Sequence, residues 1–252
     1  MTAYYNENDA FAVAWLKELI SDGLIATGDV DDRSILDVRP ADLAGYTQCH
    51  FFAGIGGWSH ALRLAGWPDD RPVWTGSCPC QPLSSAGQQK GHEDERHIWP
   101  TFHALIAVCR PPVVLGEQVA SKLGREWLSG VRADLEALGY AVGAADLCAA
   151  GVGAPHIRQR LWWVADANGT RQQPSLWGGR CRATSKTRNN TWGRSTAVPC
   201  ADGKSRRVEP GIQPLAYGVS NRMGTLRGAG NAIVPQVAAV FIEAFEHAET
   251  DA

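Results

Sequence analysis

Four short stretches of this 252-residue chain carry residue types whose spacing could do chemistry. Around Cys80, Pro79 and Pro82 restrict the backbone and can present one thiol in a fixed direction. A free thiol titrates near pH 8.5, so a nucleophilic Cys80 needs surroundings that favour its thiolate, whereas an inert packing cysteine does not. Glu117 lies in Leu115-Gly116-Glu117-Gln118-Val119, at the carboxyl end of an apolar run. An acid there can be kept protonated by apolar surroundings and donate a proton, or it can be a solvated loop carboxylate. Arg158 and Arg160 stand at i and i+2 after Pro155-His156-Ile157. On an extended segment both guanidinium groups point the same way, towards an acid, a base or a phosphate. Finally, Phe51-Phe52-Ala53-Gly54-Ile55-Gly56-Gly57 places glycines where a chain turns sharply out of a strand and lets a ligand approach its amides. It is not the dinucleotide-binding fingerprint, whose third glycine would fall at Ser59.

These groups need elements to hold them. Phe11, Trp15 and Leu19 recur at four-residue spacing and predict a helix over 9–20, followed by an acidic turn from Gly28 to Asp32. Cys49–Ala53 reads as a strand entering the glycine turn, and Ala61–Ala65 as a short helix ending at Gly66. Val73–Thr75 predicts a strand leading to Ser77-Cys78-Pro79-Cys80. A helix over 97–109, a buried strand at Val113–Leu115, a helix over 124–138 and strands at 140–147 and 160–165 follow. This alternation predicts an α/β fold with a mostly parallel sheet covered on both faces. From about 167 to 220 the period is lost and the chain reads as a loop-rich insert. A helix over 235–247 then returns to the core. Residues 1–166 and 221–252 are therefore expected to form one domain, and 167–220 a small insert.

A hydrophobic share of 44% and a charged share of 20% exclude general disorder. No apolar run approaches the roughly 18 residues of a membrane helix, and the first residues lack a signal-peptide pattern, so a cytoplasmic protein without membrane contact is expected. Seven scattered cysteines read as reduced thiols, and Cys78-Pro79-Cys80 is too tight for a zinc knuckle, so no metal is expected. Charge is uneven. Residues 167–210 hold nine Lys and Arg against two acids, while the remainder holds fifteen basic and twenty-four acidic residues. Such an island suits a polyanion, or it is a solvated loop.

Taken together and in order, five motifs resemble the DNA cytosine-5 methyltransferases, in a compact phage or bacterial form. They are FAGIGG (52–57), PCQP (79–82), Glu117-Gln118-Val119, the P-x-x-R-x-R run Pro155–Arg160, and Gly230-Asn231-Ala232-Ile233-Val234-Pro235. The resemblance implies a Rossmann-like methyltransferase domain using S-adenosylmethionine and acting on double-stranded DNA. It leaves the oligomeric state open, with a monomer favoured. By this likeness Phe51, Ala53, Gly54, Ile55, Gly56, Gly57, Asn231 and Ala232 would flank the cofactor. Cys80 would be the nucleophile, Glu117 the acid at the base, and Arg158 and Arg160 the supporting arginines. Gln81, Ser84, Arg206 and Arg207 would contact DNA, the last two within the segment where the family keeps its target-recognition region.

The likeness has departures. Only 19 residues separate Gly57 from Ser77, too few for the two strands that in the family carry acids for the ribose and adenine of the cofactor. Gly28-Asp29-Val30 resembles the adenine-side element, which raises the idea of a rearranged chain order with residues 1–46 replacing the missing pieces. Gln118 stands where the family usually has Asn, and His156 where it usually has Gln. Two other functions stay open. One is cytosine modification with a different one-carbon donor. The other is a silent DNA-binding relative, against which the joint presence of Cys80, Glu117, Arg158 and Arg160 argues.

Overall fold

A computed structural model describes residues 2–79, 98–169, 196–199, 205–208 and 230–250. Its centre is a seven-stranded sheet of order β2-β1-β3-β4-β5-β7-β6. The strands are β1 (Ala3–Asn6), β2 (Gly28–Asp31), β3 (Gln48–Phe51), β4 (Val73–Gly76), β5 (Val113–Val119), β6 (Ala141–Cys148) and β7 (Gln159–Asp166). All neighbours from β2 to β5 run parallel, while β7 is antiparallel to both β5 and β6. The α/β reading with a mostly parallel sheet therefore holds.

Helices cover both faces because the strands bury both. Helix α1 (Ala10–Ser21) is capped by Asp9, whose carboxylate accepts from the backbone N–H groups of Phe11 and Ala12. It joins α2 (Gly57–Leu64) and α5 (Pro235–Thr250) on one face, and α3 (Trp99–Cys109) and α4 (Lys122–Ala137) lie on the other. The period of two in a strand divides adjacent aromatic residues between the faces. Trp162 meets Trp58 and Phe241, whereas Trp163 meets Trp99; Tyr5 joins the α1 cluster, whereas Tyr4 meets Phe51.

Three features depart from the sequence reading. Residues Ala3–Asn6 form a strand that periodicity missed, and Gly28–Asp31, read as a turn, is the edge strand beside it. Both precede β3 in the chain yet extend the sheet from β3 outwards, β1 beside β3 and β2 at the edge. The stretch between α2 and β4 is only a turn, closed by Arg71 N–H donating to the Pro68 carbonyl. Within the supposedly loop-rich insert, Thr196–Pro199 (β8) and Ser205–Val208 (β9) pair as an antiparallel ribbon. No helix among the described residues is long and apolar enough to cross a membrane.

Candidate active site

Parallel strands deliver the residues after their carboxyl ends to one edge of the sheet, where open α/β sheets hold ligands. Here that edge carries a cavity of about 480 Å³. Asn6 and Glu7 reach it from β1, Arg33 to Leu36 from β2, Phe52 to Ile55 and Gly57 from β3, Ser77 to Pro79 from β4, and Glu117 from β5. Asn231, Ala232 and Ile233, just before α5, form a further wall.

The glycine turn is shaped by its backbone. Phe52 has φ 52°, Gly54 φ 56° and Gly56 φ 79°, all in the left-handed region. Glycine adopts it freely; Phe52 is strained there, as residues at functional turns often are. Gly56 serves as the N-cap of α2 and Phe51 is fully buried against Trp74 and Phe102, so neither lines the cavity. Ala53, Gly54, Ile55, Gly57, Asn231 and Ala232 do.

Glu7 is the residue that sequence reading missed. Its Oε2 accepts from the Gly54 N–H at 2.8 Å and its Oε1 from the Asp9 N–H at 2.9 Å. The carboxylate therefore binds β1 to the glycine turn at the cavity. The signal was a short apolar stretch ending in Asn6-Glu7, visible only once Ala3–Asn6 is recognised as a strand. Asp29 accepts from the Tyr46 hydroxyl at 2.8 Å and does not line the cavity; the residues four to seven positions later, Arg33 to Leu36, do. Asp31 holds Arg33 through paired contacts and accepts from Tyr4 Oη at 2.6 Å, and Arg33 also reaches Asp42 at 3.0 Å.

Glu117 and Arg160 meet at 2.7 Å across the β5–β7 pair. Glu117 lies opposite Trp162 and Arg160 opposite Val119, so the two are diagonal neighbours on one face of the sheet. Burial pushes the Glu117 carboxyl above its ordinary value, and the charges of Arg160 and Arg158 pull it partly back. Arg158 does not share this arrangement. It precedes β7 at φ 29°, so strand alternation fails there, and its Nη2 donates instead to the carbonyls of Gly230 (3.0 Å) and Ala232 (2.5 Å). Gln118 is buried, its Oε1 accepting from the Val119 N–H at 2.9 Å and its Nε2 lying 3.5 Å from the Cys78 carbonyl. His156 is exposed. Pro79 brings the chain to the cavity wall immediately before Cys80; Cys80, Gln81 and Ser84 lie outside the described residues. Arg206 and Arg207 fall on β9, opposite Val198 and Ala197.

The sequence model of C-5 cytosine-specific DNA methylases matches residues 68–197, just over half of the chain. This chain belongs to that family. The match begins after the glycine turn, so it does not include strands β1 to β3. Among curated members, the type II methyltransferase M.AplI of Arthrospira platensis is 38% identical over 104 residues, covering 40% of this chain and 29% of the relative. The type II methyltransferase M.AgeI of Thalassovita gelatinovora is 31% identical over 110 residues, covering 42% and 26%. The chain thus spans less than a third of the length of these family members. Solved structures similar to it include the Dnmt2 methyltransferase of S. pombe (TM-score 0.42, 14% identity, 69% of this chain and 53% of that one). The Entamoeba histolytica methyltransferase EhMeth gives TM-score 0.42 at 12% identity, covering 71% and 57%.

Proposed function

We propose that this family member methylates C5 of cytosine in double-stranded DNA, with S-adenosylmethionine as donor. The observation that carries this reading is the cavity in which Glu117, paired with Arg160, and the approach to Cys80 share one wall system with Glu7 and the glycine turn. The donor set suits that cofactor. Glu7 offers a carboxylate to a pair of ribose hydroxyls, Phe52 an aromatic surface to a flat base, and the glycine turn and Asn231 polar groups to an amino-acid moiety. Bound there, S-adenosylmethionine supplies an electrophilic methyl on a sulfonium.

The chain's own residues supply the rest. Cytosine C5 is a poor nucleophile. Addition of the Cys80 thiolate to C6 forms an S–C6 bond and moves electron density to C5. Glu117 holds a proton at ring N3 as that adduct forms, a contribution typically of 10²–10⁴-fold. Arg160 keeps the Glu117 carboxyl in place. Once C5 has gained its methyl group, water takes the C5 proton, the C5–C6 double bond re-forms, the Cys80 thiolate leaves and the N3 proton returns to Glu117. C6 is out of reach inside a stacked duplex, so the base must leave the helix, costing a few kcal/mol. Residues 167–220 are assigned as the target-recognition insert on the catalytic domain formed by 1–166 and 221–252, and their positive charge suits phosphates.

The test is incubation of the purified chain with duplex DNA and S-adenosylmethionine, followed by nucleoside mass spectrometry. The expected product is 5-methylcytosine; unmodified DNA overturns the reading. A duplex containing 5-fluorocytosine is expected to trap the protein covalently, since fluorine does not leave C5 as a proton does. Fragment-ion mapping to Cys78 instead of Cys80 would reassign the nucleophile.

A further inference from the structure

Resting on that cofactor reading, we propose that Arg158 is a positioning residue, a strut that fixes the 230–233 wall of the cofactor cavity. Three observations converge on it. First, Arg158 sits at φ 29°, a conformation that side chains other than glycine adopt only when their surroundings dictate it. Second, from that backbone its guanidinium reaches across more than 70 residues of sequence to two carbonyls, those of Gly230 and Ala232. Those carbonyls bracket Asn231, which lines the cavity. Third, the same wall is pressed from the opposite side. A Cβ built on Gly57 would stand 2.8 Å from Ile233 Cγ1, so the glycine turn and Ile233 are already in close contact.

The segment before Pro235 precedes α5 and belongs to no strand of the sheet. Arg158 supplies two charge-assisted hydrogen bonds to it. Two residues on, Arg160 turns to Glu117. The arginines of one short motif thus divide their work: Arg160 holds the acid at the base, and Arg158 holds the cofactor wall. This division follows from the left-handed backbone at Arg158, which removes it from the alternation of β7.

The experiment compares the unaltered chain with Arg158→Gly and Arg158→Lys. It uses calorimetric titration with S-adenosylmethionine in the absence of DNA, together with melting temperature and hydrogen exchange. Glycine suits the positive φ, so Arg158→Gly is expected to keep the melting temperature of the unaltered chain. Its cofactor affinity is expected to fall by about ten-fold or more, with faster exchange confined to 231–234. Arg158→Lys, which still donates to carbonyls, is expected to recover part of the affinity. An Arg158→Gly chain that binds as tightly as the unaltered one overturns the proposal, as does a loss of affinity accompanied by a general loss of stability. If the unaltered chain binds no S-adenosylmethionine, the cofactor reading falls, and exchange at 231–234 in the free proteins decides the strut: unchanged rates in Arg158→Gly overturn it.

Discussion

The Glu7 carboxylate accepts a hydrogen bond from the backbone N–H of Gly54 at 2.8 Å, across 47 residues of sequence. The contact joins the end of β1 to the turn after β3, and it exists because these strands are parallel neighbours although α1, β2 and two short 3-10 turns separate them in the chain. The ladder runs on past the strands, with the Ala53 N–H donating to the Asn6 carbonyl at 3.0 Å. An N-terminal segment thus completes a site whose other parts come from the middle and end of the chain.

From this contact, Glu7→Ala is expected to weaken S-adenosylmethionine binding by about ten-fold or more, since the Gly54 and Asp9 amides lose their acceptor. Glu7→Gln keeps one acceptor oxygen and should lose less. Calorimetric titration without DNA reads both. Equal affinity in the alanine variant would remove Glu7 from the site.

Gly57→Ala should act on the same cavity from the other side. The added methyl would stand 2.8 Å from Ile233 Cγ1, a branch atom near the backbone that cannot swing away cheaply. Residues 231–233 must then shift. Reduced cofactor affinity is expected, with partial recovery in the Gly57→Ala, Ile233→Ala double variant. Additive losses measured in that double-mutant cycle would show that the two positions do not share one wall.

Asp31 gives a pH dependence of defined sign. Contacts from Arg33, with the Tyr4 hydroxyl adding to them, hold its carboxyl down to about 2 from an ordinary 3.8. A depressed acid stabilises the fold above its unfolded value and ceases to do so as pH falls through its folded value. Asp31→Asn is therefore expected to be less stable than the unaltered chain at pH 7 by about 1 kcal/mol, the pair being partly in solvent. The gap should close between about pH 4 and pH 2. Denaturant unfolding across that range checks it, and a constant gap would contradict the assignment.

These relationships were unequally legible in the sequence. Amphipathic α1 and α4 and the strand before the glycine turn lie close to where the sequence put them, while the strand read at Val113–Leu115 runs on to Val119 and so takes in Glu117. Strand β1 did not announce itself because all four of its residues are buried, so no alternation of apolar and polar residues survives. Strand β2, Gly-Asp-Val-Asp, has the composition of a turn and holds its place by pairing along β1. Glu7 was unreadable for the same reason, since its partner Gly54 is near only when β1 lies beside β3. The i, i+2 arginines were legible as a pair but not in their separate directions, which depend on the backbone at Arg158.

Glu117→Gln is expected to slow single-turnover methyl transfer by at least about 10²-fold, with a smaller effect on DNA affinity, because the acid acts as the adduct forms. The same residue has a stability signature. Burial raises its carboxyl, so the folded chain favours the protonated form, and stability falls as pH rises from the ordinary 4.5 through the raised value. The Glu117→Gln chain should lack that decline. Unchanged single-turnover rates would exclude the proposed role.

The remaining prediction concerns the positive island. Residues 167–210 carry nine cations and two acids in a chain that is otherwise acidic, so this segment should orient docking while other faces repel DNA. Its described part includes the β8–β9 ribbon, which places Arg206 and Arg207 in the middle of β9. Each phosphate contact releases counterions, and on duplex DNA log affinity falls with log salt by about 0.9 per contact. Replacing Arg206 and Arg207 together with Gln is therefore expected to flatten that slope by roughly one to two units, measured by fluorescence anisotropy over a salt series. A solvated loop predicts no change. An unaltered slope would leave these two arginines out of the DNA interface and move the search for phosphate contacts to the island's other seven cations.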